Sequence, residues 1–235
     1  MGMVKTEIIR RSPLRILEKS LRGGLKDGNV GVLASRKGVG KTACLVHIAT
    51  DKLFQSKPVI HVSYSNRVDY IITWYEDIFK EIAKKRRLES ALDVHDEIIR
   101  NRVIMNFRQN AANIDQVLRS VEAMIDFGKF AADTVMVDGY DFSKSTCEDL
   151  QKFKDFAQRV GVRVWFSASL KGNEPLFDEK GIPHELKGCL DQLDVLITLV
   201  YQDDHVRLRL VKDYDFPPPG DLKIKLDPKT LLISD

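Results

Sequence analysis

Apolar residues recur along this chain at two spacings that alternate. Val30, Val32 and Leu33 make a short apolar run. From Ala43 onward, Leu45, Val46, Ile48 and Ala49 recur on spacings that repeat every three or four residues, as in 43/46, 45/48 and 45/49. The first pattern predicts a buried strand, the second an amphipathic helix. The alternation then repeats. Strands are predicted over 58–65 (PVIHVSYS), 103–107, 134–138 (TVMVD) and 162–169 (VRVWFSAS). Helices are predicted over 69–87, with Ile71, Tyr75, Ile78 and Ile82 on one face, over 114–125, and over 150–160. Ahead of all these, Leu14, Leu17 and Leu21 share a helical face, and Gly23-Gly24 and Asp27-Gly28 mark turns. The polar stretch 171–187, punctuated by Gly172, Pro175, Gly181 and Pro183, reads as a mobile loop. Beyond it, 195–201 and 206–212 flank Gln202-Asp203-Asp204, and 222–226 and 231–233 flank Asp227-Pro228, which predicts two hairpins. Strands alternating with helices, then hairpins, predict an α/β fold with a mainly parallel sheet, helices on both faces and an antiparallel edge.

The chemistry concentrates where the first strand meets the first strongly periodic helix. The intervening residues are Ser35-Arg36-Lys37-Gly38-Val39-Gly40-Lys41-Thr42-Ala43. A strand, a glycine-bearing loop ending in Gly-Lys-Thr and a helix form the context of a phosphate-binding loop. Such a loop aims consecutive backbone N–H groups into one concavity, and the helix start adds unpaired donors and the positive end of its dipole. Lys41 is expected to reach the β- and γ-phosphates, and the Thr42 hydroxyl to bind Mg²⁺. Ser35 stands where the usual pattern has a glycine, so that turn is expected to be less free. Asp138, at the end of an apolar strand, is the expected second magnesium group, with Asp141 nearby.

Composition narrows the class. The 235 residues are 43% hydrophobic and 30% charged, with no apolar run of membrane-spanning length. The first 22 residues lack the apolar core of a signal peptide. Cys44, Cys147 and Cys189 are odd in number and far apart, which reads as reduced thiols rather than a disulfide frame or metal site. A cytoplasmic protein is the expectation. The net charge is only +3, but cations gather near the N-terminus: Lys5, Arg10, Arg11, Arg15, Lys19, Arg22 and Lys26, ahead of the three in the phosphate loop. They would suit either a solvated helix or an acidic partner such as nucleic acid. The run Lys84-Lys85-Arg86-Arg87 reads the same two ways, as a favourable helix C-terminus or a basic patch.

The order of these features resembles one family. A leucine-bearing turn, Gly23-Gly24-Leu25, a pair ending in Gly28, an apolar strand and the phosphate loop follow one another as in RecA-like ATPases, especially the KaiC and DnaB-type branch. The Asp138 strand matches that family's Walker B pattern, and the resemblance runs from about Ser12 to Asp235. It implies a three-layer RecA-type P-loop fold, with residues 1–28 as a lead-in segment packed on a single nucleotide-binding domain, 29–235. It also implies ATP with Mg²⁺, Lys41 and Asp138 as catalytic groups, and a homo-oligomer or protein partner.

Several positions depart from the family. Its catalytic glutamate aligns with Ser65, followed by Asn66, and neither is a useful base; Glu76 and Asp77 lie on the next helix. The polar sensor aligns with Ala168, between Ser167 and Ser169. The segment that supplies cations across a subunit interface reads Val211-Lys212-Asp213-Tyr214, so Lys212 is the candidate trans finger and tyrosine replaces the arginine. Tyr214, Phe216 and Pro217 are candidates to hold the base. The features that bind nucleotide are kept, and those that drive fast hydrolysis are eroded. That pattern predicts a slow ATPase or nucleotide switch, or else a regulatory module that binds without hydrolysis. A DNA-acting recombinase or helicase subunit, a small-molecule kinase and a ParA-like ATPase rank below these.

Overall fold

A computed structural model describes residues 2–65, 67, 69–86, 91–108, 113–172 and 175–235. Of the positions singled out above, Asn66 and Arg87 lie outside that set. The core is a nine-stranded sheet in the order β3-β2-β4-β5-β1-β6-β7-β8-β9. Its strands are β1 (Val30–Arg36), β2 (Val59–Ser63), β3 (Arg102–Asn106), β4 (Thr134–Asp138), β5 (Arg163–Leu170), β6 (Val195–Gln202), β7 (His205–Asp213), β8 (Gly220–Leu226) and β9 (Ile233–Ser234). Strands β1 to β6 pair in parallel, and β6 to β9 form an antiparallel run.

The burial of each strand explains its sequence. All five residues of β2 and of β4 are buried, because helices cover both faces of the parallel part. In β8 the alternation returns: Leu222, Ile224 and Leu226 are buried while Asp221, Lys223 and Lys225 are exposed. One face of the sheet carries α1 (Gly2–Arg10), α2 (Leu14–Ser20), α3 (Lys41–Phe54), α4 (Asp69–Arg86) and α5 (Ala91–Arg100). The other carries α6 (Ile114–Asp126) and α7 (Cys147–Val160). Helix α7 is fixed at both ends, by a capping box between Thr146 and Asp149 and by Gly161 in the left-handed conformation. Under the ends of β4 and β5, the rings of Tyr140, Phe142, Phe153 and Phe166 pack edge-on or tilted at 4.9–6.0 Å. That cluster supports the strand that delivers Asp138.

The structure departs from the sequence expectations in three places. Helix α5 was not foreseen, although Val94 and Ile98, four residues apart, are its buried stripe. The stretch read as a mobile loop is partly structured. Phe177 bridges Pro183, the Asp178 carboxylate accepts from the amides of Lys180 and Ile182, and 3₁₀ turns run over His184–Gln192. Finally, Cys147 and Cys189 form a disulfide across 42 residues, with Cα atoms 5.1 Å apart. Separation along the chain misled here, because α7 and the 3₁₀ segment pack together on one side of the sheet. Cys44 is buried and free, and burial pushes its thiol up to about 12. The disulfide removes the support that reduced thiols gave to a cytoplasmic location. Among the described residues no helix is long and apolar enough to cross a membrane.

The crosslink closes a long loop, and such links typically contribute about 2–4 kcal/mol. The double substitution Cys147→Ser, Cys189→Ser is therefore expected to lower the unfolding free energy by about 2–4 kcal/mol under oxidising conditions, read as a lower denaturant midpoint. An unchanged midpoint would mean that the link contributes no stability.

Candidate functional site

Strand β1 ends in the centre of the sheet and the chain turns at once into α3. Gly40 caps that helix at φ 116°, and a Cβ there would meet Leu226 Cδ2 at 2.3 Å. The backbone angle therefore calls for glycine, and any Cβ would also displace the end of the Leu226 side chain. Ser35 does not need to be glycine. It is an extended residue of β1 in register with Ser169. Its hydroxyl donates to the Arg36 carbonyl at 3.0 Å.

Lys41 folds back over its own loop. Its Nζ donates to the carbonyls of Arg36 at 2.8 Å and Ser35 at 3.1 Å, and lies 3.3 Å from Ser35 Oγ. Burial lowers its pKa to about 8, against the raising influence of Asp138. The Thr42 hydroxyl lies 3.1 Å from both carboxylate oxygens of Asp138, ninety-six residues later in the chain. Ser167 donates to Asp138 Oδ1 at 2.6 Å and accepts from the Gly139 amide at 3.0 Å. Burial raises the Asp138 pKa; the hydrogen bonds from Ser167 and Thr42 and the charge of Lys41 oppose that rise.

These residues open onto a cleft of about 590 Å³, within the range of small-molecule sites. Its floor is the loop from Lys37 to Thr42 with Asp138, Ser167 and Ser169. Leu226, Pro228 and Leu231 form an apolar wall beside Gly40. Ser63, Tyr64, Ser65, Tyr70 and Trp74 form the opposite one. Arg36 is exposed, Val39 is half-buried and Ala43 is fully buried under the loop. Leu226, Pro228, Tyr70 and Trp74 were not foreseen as site residues. The Asp227-Pro228 turn marked the hairpin, but only the sheet order brings that hairpin beside the loop.

Other expected site residues lie elsewhere. Lys212 pairs with Leu196 near the start of β6, and its amine donates to the Leu190 carbonyl at 2.6 Å. The Tyr214 hydroxyl donates to the Gly24 carbonyl and accepts from the Lys26 amide. The Phe216 ring carries the Arg22 guanidinium at 3.8 Å. Tyr214 and Phe216 therefore do not line the cleft. Strand β7 runs antiparallel, so it returns the chain to the end of the sheet where β1 begins, away from where β1 delivers the loop. Glu76 is engaged with His95 at 2.7 Å, and Asp77 is exposed. The Asp141 carboxyl is held below its usual range: burial would raise it, but Lys171 at 2.7 Å and Ser143 outweigh that. Ser65 does face the cleft, where its hydroxyl accepts from the Arg67 amide. Most N-terminal cations are already matched: Arg10 and Arg11 with Glu7, Arg15 with Glu18 and Asp51, and Arg22 with Asp213.

No protein-family model and no curated protein matches the chain. Among solved structures, it is similar to the ATPase domain of G40P at a TM-score of 0.70 and 15% sequence identity, over 94% of this chain and 89% of that one. The two share a fold, of RecA type: mixed α/β, mostly parallel, with antiparallel strands at the C-terminal end.

Proposed function

We propose that this chain binds ATP with Mg²⁺ at the Lys37–Thr42 loop and acts as a slow ATPase or nucleotide switch of the KaiC and DnaB-type branch. The observation that carries this reading is the contact of Thr42 with Asp138 beneath a loop that leads into a helix N-terminus. A hydroxyl and a carboxylate at one point are hard oxygen donors that suit Mg²⁺, which takes one or two protein groups and completes its shell with waters and phosphate oxygens. Bound there, the cation would neutralise charge on the phosphates.

The chain's own residues then divide the work. Backbone amides from Gly38 to Thr42 cradle the phosphates. Lys41 leaves the carbonyls of Ser35 and Arg36 for phosphate oxygens, a stronger charge-assisted bond. Leu226, Pro228 and Leu231 offer the apolar surface for the base, in place of Tyr214 and Phe216. Residues 29–235 form the nucleotide-binding unit, and 1–28 pack on it as a lead-in segment.

Slow turnover follows from what the cleft lacks. Among its described lining residues the only carboxylate is Asp138, which is committed to Thr42 and Ser167. With no second carboxylate to activate water, positioning and electrostatics remain. The same observation favours a second reading, a module that binds ATP without hydrolysing it. A nucleic-acid role gains nothing from the N-terminal cations, which are largely paired. A role for Lys212 across an interface with a second copy would require it to leave the Leu190 carbonyl.

Trp74 lines the cleft and reports on binding. Its fluorescence should change saturably with ATP, more steeply with Mg²⁺ than with EDTA. Phosphate release should exceed that of Lys41→Ala. Equal release from both proteins would leave only the non-hydrolysing reading, and no saturable binding would remove both.

A further inference from the structure

Two cleft-lining residues, Ser63 and Tyr64, carry buried hydroxyls with no partner among the described residues; the Tyr64 ring packs with Phe107 and Tyr140 on the other face of the sheet, which leaves Ser63 beside the loop. Ser63 is the last residue of β2, in register with Asp138 on one side and Asn106 of β3 on the other. Register partners in neighbouring strands project to the same face, so Ser63 stands beside Asp138 on the face that carries α3. It lines the cleft, is 1% exposed, and its Oγ has no hydrogen-bond partner among the described residues. Its neighbour Asn106 donates to the Ser65 carbonyl at 2.9 Å, while Asn106 Oδ1 is also buried and unpaired. Native proteins rarely leave buried polar atoms unmatched, and a group that does so at a site calls for a ligand or an ordered water. His61, two residues earlier on the same strand face, also has an unpaired nitrogen, but it does not reach the cleft.

The position of Ser63 relative to Asp138 gives the hydroxyl a partner. Asp138 is flanked by Ser167 of β5 on one side and approached by Thr42 from α3. On its β2 side, the residue in register is Ser63. A magnesium ion held by Thr42 and Asp138 keeps several waters, and those waters need acceptors and donors of their own. Outer-shell partners of this kind orient a metal's ligands and tune its affinity.

We infer that Ser63 is a positioning residue for the cation: its hydroxyl holds a water of the Mg²⁺ shell on the β2 side of Asp138. This rests on the Mg²⁺–nucleotide reading of the cleft. A purely structural serine would behave differently. It would have a protein partner, and its removal would cost stability. Here alanine deletes an unsatisfied group, so the folded protein should lose nothing.

The test compares Ser63→Ala with the unsubstituted protein in three measurements. Mn²⁺ affinity is read by electron paramagnetic resonance on the ADP-loaded protein. ADP affinity is read in EDTA, and thermal unfolding is followed in EDTA without nucleotide. The expected result is Mn²⁺ binding weaker by about tenfold or more, ADP affinity in EDTA unchanged, and an unfolding midpoint that is not lowered. Unchanged Mn²⁺ affinity would overturn the inference. So would an equal loss of ADP affinity in EDTA, or a lowered midpoint, since either marks a structural role. If the unsubstituted protein bound no ADP at all, the reading beneath the inference would fall with it, and that failure is visible before any substitution is made.

Discussion

Lys41→Ala is expected to weaken ATP binding by about 10–100-fold, the equivalent of losing one hydrogen bond between charged groups at about 1.5–3 kcal/mol. The side chain is buried and already positioned, with its donors on the carbonyls of its own loop. Little further ordering is needed when it turns to a phosphate. Its burial adds a pH signature. The folded-state pKa is lowered from 10.5 to about 8, burial being the first cause and Asp138 the opposing one. Across the window from about 8 to 10.5 the unfolded chain holds a proton that the nucleotide-free folded chain has released. Stability of the free protein therefore gains a contribution as pH rises through that window. ATP affinity moves the other way, because the charged amine is what binds phosphate and the complex must recover the proton. Titrations at a series of pH values should show a constant affinity below about pH 8 and a decline above it, absent in Lys41→Ala. A flat profile in the unsubstituted protein would contradict the proposed role of the lysine.

Asp138→Asn is expected to abolish the magnesium-dependent part of ATP binding while leaving the free protein at least as stable. The loss should exceed the about 10–100-fold that removing an outer-shell partner costs, so it should be larger than that of Ser63→Ala. The stability prediction follows from the sign of the shift. Burial raises the Asp138 pKa from 3.8, more than Ser167, Thr42 and Lys41 lower it. Holding the ionised carboxylate in the folded protein is thus a cost that grows as pH rises above 3.8 toward the raised folded-state value. Asparagine keeps an oxygen for the hydroxyls of Thr42 and Ser167 and removes the charge. Thermal unfolding without nucleotide should show a midpoint equal to or above that of the unsubstituted protein at neutral pH, and calorimetric ATP titration should show no difference between Mg²⁺ and EDTA. Asp138 also raises the Lys41 pKa, so its loss should move the break in the Lys41 pH profile downward. A lowered unfolding midpoint would mean that Asp138 is a structural anchor.

The two substitutions separate binding of the phosphates from binding of the cation, as a nucleotide site requires. Both groups sit in the folded chain at some cost, the lysine with a lowered pKa and the carboxylate with a raised one. Sites that hold such groups commonly give up stability for function.

Much of this site was legible in the chain, and much was not, for one reason. The proposed phosphate loop is local: eight consecutive residues, with their strand before and helix after, carry all the spacing such chemistry needs. Ser35 could be noticed as a departure, but its consequence could not be read, because its extended conformation comes from pairing with Ser169. Asp138 stands out in the sequence because a buried parallel strand writes its whole length as apolar and its end as a carboxylate, and the fold sets it against Thr42. The alternation of strands and helices was sufficient for the fold class, since a parallel sheet covered on both faces leaves that signature in every strand.

What lay beyond the sequence depended on which strand sits next to which, and in which direction. Tyr214 and Phe216 follow the segment aligned with the family's cationic finger, yet β7 carries them to the far end of the sheet. Leu226, at the end of β8, and Pro228 just beyond it return to the 37–42 loop. Cys147 and Cys189 are distant in sequence and bonded in space. The family pattern points to Ser65 and not Ser63, because it marks positions but not burial; only the folded sheet sets Ser63 beside Asp138 and Asn106 with a hydroxyl lacking a partner among the described residues. Local backbone chemistry and hydrophobic period were determined by the sequence alone. The neighbours of each side chain were decided by the tertiary structure, because pairing order and strand direction are set by the packing of the whole sheet and not by any one stretch of it.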